Sequence, residues 1–217
     1  MTYDLIIFDW DGTLVDSTQR IVDSMQRAAH EVGLPVVADS VIQNIIGLGL
    51  PEALKTVWPS IQAEQMPTMT AAYARFFVSD SQVDMDFFDG VPNLLDTLQT
   101  SGRQLAVATG KSRKGLDRML RDMQIGSYFA ATRCADETRS KPHPQMLHEL
   151  LQELNVAPER ALMVGDTSYD LDMANAAGMH SVAMSHGAHN EQVLMACRPQ
   201  ALCHSIDELN QWIQTHG

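Results

Sequence analysis

The sequence predicts an α/β fold with a parallel-sheet core and an inserted all-helical domain. Three observations predict it. The apolar run Leu5–Phe8 stops abruptly at Asp9-Trp10-Asp11-Gly12, as a short buried strand running into a tight turn does. From about residue 85 onward, strand-like runs alternate with helical periodicity, which implies parallel strands joined by right-handed crossovers. Between these parts, residues 16–84 show helical periodicity and no convincing strand. The chain therefore divides into a core of 1–15 and 85–217 and a helical insert of 16–84. The insert leaves and re-enters at the carboxyl edge of the sheet, and its hinges are expected near Ser17 and Val83.

After the first strand, Ile21, Val22, Met25, Ala28, Ala29 and Val32 recur at helical spacing up to Gly33-Leu34-Pro35. Asp16 or Ser17 is placed to cap that helix. Further helical stretches cover about 39–46, 51–57 and 68–78. A helix over about 92–100 ends at Gly102, and a strand over 104–108 runs into Thr109-Gly110-Lys111-Ser112. The next helix carries Leu116, Met119, Leu120 and Met123 on one face. A weaker strand over 128–133, a helix over 143–154, a strand over 161–164 and a helix over 170–177 follow. Strands at 181–184 and 201–204 and a helix over about 206–214 close the pattern.

With 217 residues there is ample material for a core. The net charge of −12, from 15 basic and 27 acidic side chains, argues against nucleic acid or an anionic membrane surface as partner. No apolar run reaches the length of a membrane span. The opening Met1-Thr2-Tyr3-Asp4 goes straight into a strand, so no signal peptide is expected. Cys134, Cys197 and Cys203 lack C-x-x-C spacing and fit neither a zinc site nor a disulfide framework. The expectation is a cytoplasmic protein, a monomer or small homo-oligomer, with no nucleic-acid or membrane partner.

The chemistry lies at the strand ends. Asp9 and Asp11 sit where open α/β sheets place their ligands. Carboxylates that close repel each other unless a cation or a shared proton intervenes, and a hard divalent cation such as Mg²⁺ suits oxygen ligands. An EF-hand loop is excluded, because Thr13 stands at its fifth position and no Glu at its twelfth. Three more strand ends converge on the same edge: Thr109, the loop holding Lys141, and Asp166 with Asp170. Carboxylates hold a metal, while a hydroxyl, backbone N–H groups and an ammonium bind phosphate oxygens. Thr109-Gly110 opens a helix and is suited to anions. Gly110-Lys111-Ser112 is not a nucleotide-binding loop, since Leu105 stands where that motif needs glycine. If Asp166 starts the next helix, Asp166 and Asp170 lie one turn apart.

Each piece alone has an ordinary explanation. Thr109 serves as a helix cap, Lys141 as a solvated loop charge, and Asp166 or Thr167 as an N-cap. Their convergence outweighs these. The basic set Lys111, Arg113, Lys114, Arg118 and Arg121 reads as a solvated helix face, and His143 as a loop-packing residue.

The run DWDGTLVDS, with Thr109, Lys141 and Asp166/Asp170 in this order, resembles residue by residue the four motifs of the haloacid dehalogenase-like hydrolases. Trp10 departs from the aliphatic residue more usual there. DGTLVDS, TGK and SKPHP are similar to the phosphoglycolate-phosphatase branch. The resemblance implies a Rossmann-like core with a helical cap at 16–84. It also implies an Mg²⁺-dependent phosphatase of a small phosphorylated metabolite, phosphoglycolate-like or a sugar phosphate. In this reading Asp9 attacks phosphorus and Asp11 is acid and then base. Mg²⁺ is held by Asp9, the Asp11 backbone carbonyl and Asp166. Asp11, Gly12, Thr109, Gly110 and Lys141 surround the phosphoryl group, and Asp170 orients the metal's water shell or Lys141.

Related outcomes share the pattern: a β-phosphoglucomutase-like phosphomutase, a pyrophosphatase or a nucleotidase. Asp11 argues against dehalogenation. A phosphonate hydrolase would need a cap lysine, and Lys55 is the only one. A phospho-receiver module would be about half this length, without an insert. The expected substrate loop of the insert is Ile46-Gly47-Leu48-Gly49-Leu50-Pro51, where Gly47 and Gly49 let backbone approach a ligand. Only Arg20, Arg27, Lys55 and Arg75 supply positive charge over 16–84, against eight acidic residues.

Overall fold

The computed structural model describes residues 2–79 and 83–216, so positions 80–82 of the expected insert lie outside the described residues. Six parallel strands form one sheet: β1 (Leu5–Phe8), β2 (Gln104–Thr109), β3 (Ala131–Cys134), β4 (Ala161–Gly165), β5 (His180–Met184) and β6 (Ala201–Cys203). Their spatial order is β3-β2-β1-β4-β5-β6. This is the doubly wound Rossmann-like order, with its switch point between β1 and β4. β1 is central and pairs on both sides, Phe8 lying level with Val107 and with Val164.

Successive residues of β1 point to opposite faces, so a strand buried on both sides must be apolar throughout. Ile6 and Phe8 pack with Leu94 and Leu98 of α5 (Val91–Thr100), Leu116 of α6 (Arg113–Asp122) and Leu209 and Ile213 of α10 (Ile206–His216). Leu5 and Ile7 pack with Met146, Leu147 and Leu150 of α7 (Gln145–Leu154) and Met173 of α8 (Ser168–Ala176). Each such side chain contributes roughly 1.5–3 kcal/mol on burial. Trp10 is fully buried in the first of these layers, its ring 6.4 Å from that of Phe129.

Between β1 and β2 lie α1 (Thr18–Val32), α2 (Asp39–Gln43), α3 (Leu50–Val57) and α4 (Gln65–Val78). They enclose a cluster of their own around Val22, Met25, Ile42, Leu54, Trp58 and Met69. At its mouth the two connecting strands run antiparallel. Val15 bridges Phe87, the Asp16 N–H donates to Asp86 O at 2.9 Å, and the Phe88 N–H donates to Leu14 O at 3.1 Å.

Several expected boundaries shift for identifiable reasons. Ser17 takes the N-cap position of α1 but makes no side-chain cap there, because its hydroxyl donates to Asp11 Oδ1 at 2.6 Å. Residues 126–128 form a 3₁₀ turn, so the third strand starts at Ala131 rather than at Tyr128. α8 starts at Ser168, because Thr167 is its N-cap and Asp170 reaches back to it as a capping box. Asp166 therefore precedes the helix instead of opening it. A short helix that the periodicity did not reveal, α9 (Glu191–Ala196), starts where the Asn190 side chain accepts from the Val193 N–H at 3.1 Å. Among the described residues no helix is long and apolar enough to cross a membrane.

Candidate active site

The site lies at the carboxyl ends of β1 and β4. Asp9 continues β1, its N–H donating to Val164 O at 2.9 Å, and Asp166 continues β4 directly. The carboxylates of Asp9, Asp166 and Asp170 offer oxygen atoms all within 4.8 Å of one another, and all three residues are buried. The Lys141 ammonium lies among them, 2.7 Å from Asp9 Oδ1 and 2.6 Å from Asp170 Oδ1. Three carboxylates against one ammonium leave excess negative charge in a buried place.

That excess shows in the ionisation. Burial pushes the Asp9 carboxyl well above the usual carboxylate range, against the attraction of Lys141. Burial, reinforced by the Asp170 charge, pushes Asp166 up to about 7. Burial works against the charge of Lys141, yet Asp170 and Asp9 outweigh it and hold the ammonium above its ordinary range. Asp9 Oδ2 is buried with no hydrogen-bond partner. A buried carboxylate oxygen left so is costly unless something else binds it. The donor set is therefore suited to a hard divalent cation.

The other two carboxylates are held in place. Asp170 Oδ2 accepts from Thr167 N–H at 3.1 Å and from Thr167 Oγ1 at 2.7 Å. Asp166 Oδ1 accepts from Thr13 Oγ1, and Oδ2 accepts from the Ala188 N–H, each at 2.7 Å. Glycines close in on them. A Cβ at Gly187 would lie 2.0 Å from Asp166 Oδ2, one at Gly12 2.3 Å from the same atom, and one at Gly165 2.3 Å from Asp170 Cβ. Gly12 also has φ +80°, which disfavours any side chain. Its N–H donates to Val15 O at 2.9 Å, so Gly12 acts here through its lack of a side chain.

Asp11 stands apart from the three-carboxylate cluster. Its carboxylate accepts from Ser17 Oγ at 2.6 Å and from the Lys111 ammonium at 2.8 and 3.0 Å. Lys111 therefore does not belong to the solvated face expected for it. Its side chain is only 9% exposed, and its ammonium lies 4.7 Å from the centre of the Phe77 ring of α4. Arg113, from the same expected face, is tied to Asp117 and Glu137. Thr109 is fully buried at the end of β2, where Oγ1 accepts from the Lys111 N–H at 3.2 Å.

Gly47 and Gly49 face the core. A Cβ at Gly110 would lie 2.6 Å from both Gly47 O and Leu48 O, so the insert's loop rests directly on this glycine. The Gly49 N–H donates to Ser140 Oγ at 2.8 Å, next to Lys141. Ile21, Ile46 and Phe77 form an apolar patch with Tyr73 and Met85 between insert and core. A cavity of about 440 Å³ lined by Gln26, Arg27, His30, Glu31 and Phe76 is on the insert and shares no residue with this site.

Sequence reasoning missed Thr13, Ser17, Lys111, Gly187 and Ala188. Thr13, Ser17 and Lys111 lie inside motifs already singled out. The Ser185-His186-Gly187-Ala188-His189 loop follows β5, and its strand-end position and glycine were the available signal. His186 Nε2 donates to Thr13 O at 3.2 Å and its ring stacks on Phe88 at 3.9 Å, buttressing Thr13.

Fold and site together define an α/β enzyme whose centre is a set of carboxylates beneath a helical insert. The chain belongs to the haloacid dehalogenase-like hydrolases, whose family model matches residues 6–184. It is 34% identical over 211 residues to the tyrosine-protein kinase PtkA of Mycobacterium tuberculosis H37Rv, covering 95% of this chain and 71% of that protein. It is 32% identical over 209 residues to IndB of Dickeya dadantii, named a probable phosphatase, covering 94% and 91%. The crystal structure of a hydrolase from Pseudomonas syringae superposes with a TM-score of 0.90 at 20% identity and full coverage of both chains, a likeness of fold.

Proposed function

We propose that this protein is a Mg²⁺-dependent phosphatase that hydrolyses a small phosphate monoester through an aspartyl-phosphate on Asp9. One observation carries the reading. Asp9 is a buried carboxylate with one oxygen unpartnered, beside a buried ammonium and two further carboxylates. Such a group is poised as a nucleophile rather than as a structural ion pair.

Asp9 attacks phosphorus in line, forming the Asp9–phosphorus bond as the ester oxygen leaves. Asp11 gives that oxygen its proton, and afterwards takes one from the water that breaks the aspartyl-phosphate. Lys141, the Thr109 hydroxyl and the Gly110 N–H bind the remaining phosphoryl oxygens. Asp170 fixes Lys141, with which it is in contact at 2.6 Å. Asp9, the Asp11 carbonyl and Asp166 would hold Mg²⁺, with Asp170 in reach, and the ion supplies charge neutralisation at the phosphoryl group.

The insert's loop over Gly110 favours substrates small enough to be roofed, phosphoglycolate-like or sugar phosphates, over folded phosphoproteins. We place the reaction in the cytoplasm, with no nucleic-acid or membrane partner. Whether the protein is a monomer or a small homo-oligomer does not enter the chemistry.

The test is a screen of small phosphate esters with Mg²⁺, reading released phosphate. A phosphoprotein forms one arm, and ATP with a tyrosine peptide another. Small esters should be hydrolysed best. Phosphate returned to a second hydroxyl of the substrate would indicate a mutase. Transfer from ATP to the peptide without ester hydrolysis would overturn the reading.

A further inference from the structure

We propose that Tyr169 and His189 form a clasp on the main-chain carbonyl of Asn44 that seats the helical insert over the active site. Both are positioning residues. They reach a carbonyl of the insert, not the reacting atoms. The inference rests on the phosphatase reading only for its kinetic consequence.

Asn44 is the C-cap that follows α2, and carbonyls at a helix end have no partner within the helix. Here the core supplies the partners. The Tyr169 hydroxyl donates to Asn44 O at 2.9 Å, and His189 Nε2 reaches the same oxygen at 3.2 Å. The His189 tautomer follows from its other contact. Its Nδ1 accepts from the Ser168 N–H at 3.0 Å, so the proton is on Nε2 and is donated to Asn44. A carbonyl has two lone pairs and accommodates both donors. The two rings lie 5.4 Å apart at 60°, so each helps to place the other.

The position of the clasp gives it its effect. Tyr169 lies in the first turn of α8, between Asp166 and Asp170. The His189 N–H donates to Asp166 O at 3.3 Å. The core half of the clasp is thus built on the same backbone as the carboxylate cluster. On the insert side, Asn44 is three residues before Gly47, whose carbonyl rests on Gly110. Fastening Asn44 therefore brings the Gly47–Gly49 turn down on Gly110 and Ser140. The Tyr169 hydrogen bond is at the surface, where water competes for both groups. Such a tie is modest in strength and opens readily, as a lid that must admit substrate requires.

The experiment compares Tyr169→Phe, His189→Leu and His189→Gln, which keeps a donor, with wild type in the full-length protein. Hydrogen exchange of the amides at 45–49 is measured without substrate. Exchange should be about fivefold faster in Tyr169→Phe and His189→Leu, the factor for the net worth of one hydrogen bond. His189→Gln should return toward wild type. With the best ester from the screen, KM should rise at least threefold while kcat does not fall, whereas damage to the carboxylate cluster would lower kcat. Exchange at 45–49 within twofold of wild type in Tyr169→Phe overturns the clasp. That arm needs no turnover. A wild type that hydrolyses no ester therefore overturns the phosphatase reading and leaves the clasp to be decided by exchange.

Discussion

Lys111 and Asp11 are joined across the mouth of the site, the ammonium lying 2.8 Å from Oδ1 and 3.0 Å from Oδ2. Both side chains are about nine-tenths buried, so water screens the pair little. The Phe77 ring of the insert covers the ammonium from the other side. The residue proposed as acid and base is thus held by a lysine that itself touches the insert.

Lys111→Met should lower kcat/KM at least tenfold while the circular dichroism spectrum stays unchanged. The substitution leaves the Asp11 carboxylate with Ser17 alone and removes the contact on Phe77. Lys114→Met, on the exposed side of α6, should stay within twofold. Equal effects of the two would show that the Lys111–Asp11 pair does not bear on turnover.

Asp9→Asn should abolish turnover and leave the fold intact. An amide oxygen cannot form the aspartyl-phosphate. Removing one buried negative charge should even raise the melting temperature of the metal-free protein, because Asp9 is pushed up by burial and its acidic neighbours. Turnover within tenfold of wild type contradicts the nucleophile assignment.

Mg²⁺ should be required and should be removed reversibly by EDTA, with Ca²⁺ binding but supporting little turnover. The pH dependence has a definite sign. Asp166 titrates at about 7 in the folded chain, against about 4 for an ordinary carboxyl. Between those values the folded state keeps a proton that the unfolded chain has released. Its contribution is present in full below about pH 4 and is lost as pH rises through 7. The metal-free melting temperature should therefore fall across that window, and the gain from Mg²⁺ should grow. Asp166→Asn should weaken both trends, leaving the part that Asp9 contributes. A gain from Mg²⁺ that is equal at pH 5 and pH 8 argues against the carboxylate cluster as its site.

Gly187→Ala should raise the Mg²⁺ concentration needed for half activity at least tenfold. Its Cβ would lie 2.0 Å from Asp166 Oδ2, so the carboxylate must move. A Mg²⁺ titration followed by melting temperature checks this. An affinity within twofold of wild type shows that Asp166 is not held by that contact.

The sequence made the strand ends legible because each is marked twice, by an apolar run and by the polar residue that stops it. Asp9, Thr109 and Asp166 are all of that kind. Lys111 was misassigned for a physical reason. Helical periodicity puts it among exposed basic residues, but it precedes the helix and turns toward Asp11. Gly187 and Ala188 were missed because they act through a bare backbone, which gives no side-chain signal. Asp170 is expected to act on a metal's water shell or on Lys141; it contacts Lys141 at 2.6 Å and belongs to the carboxylate cluster that could hold an ion. Gly47 and Gly49 are expected to let backbone approach a ligand, and the structure brings them against Gly110 and Ser140 at the edge of the site. Spacing cannot tell whether a flexible backbone approaches a substrate or another backbone.

The antiparallel stem at Leu14–Asp16 and Asp86–Phe88 also bears on how the chain assembles. β1 must find β2 across roughly a hundred residues, and the entropy lost grows with the logarithm of that separation. If the helices of the insert collapse first and zip the stem, the remaining gap is about twenty residues. That is about two doublings shorter, worth about 1.3 kcal/mol in loop closure. The insert would then act as a splint that forms early and lets the central strands meet. We expect Met69→Ala, inside the insert's own cluster, to slow refolding. A substitution at the edge strand, such as Cys203→Ala, should mainly speed unfolding. The reverse pattern in stopped-flow chevrons would mean that the sheet forms first, and that the helices between β1 and β2 are carried along as a passive loop.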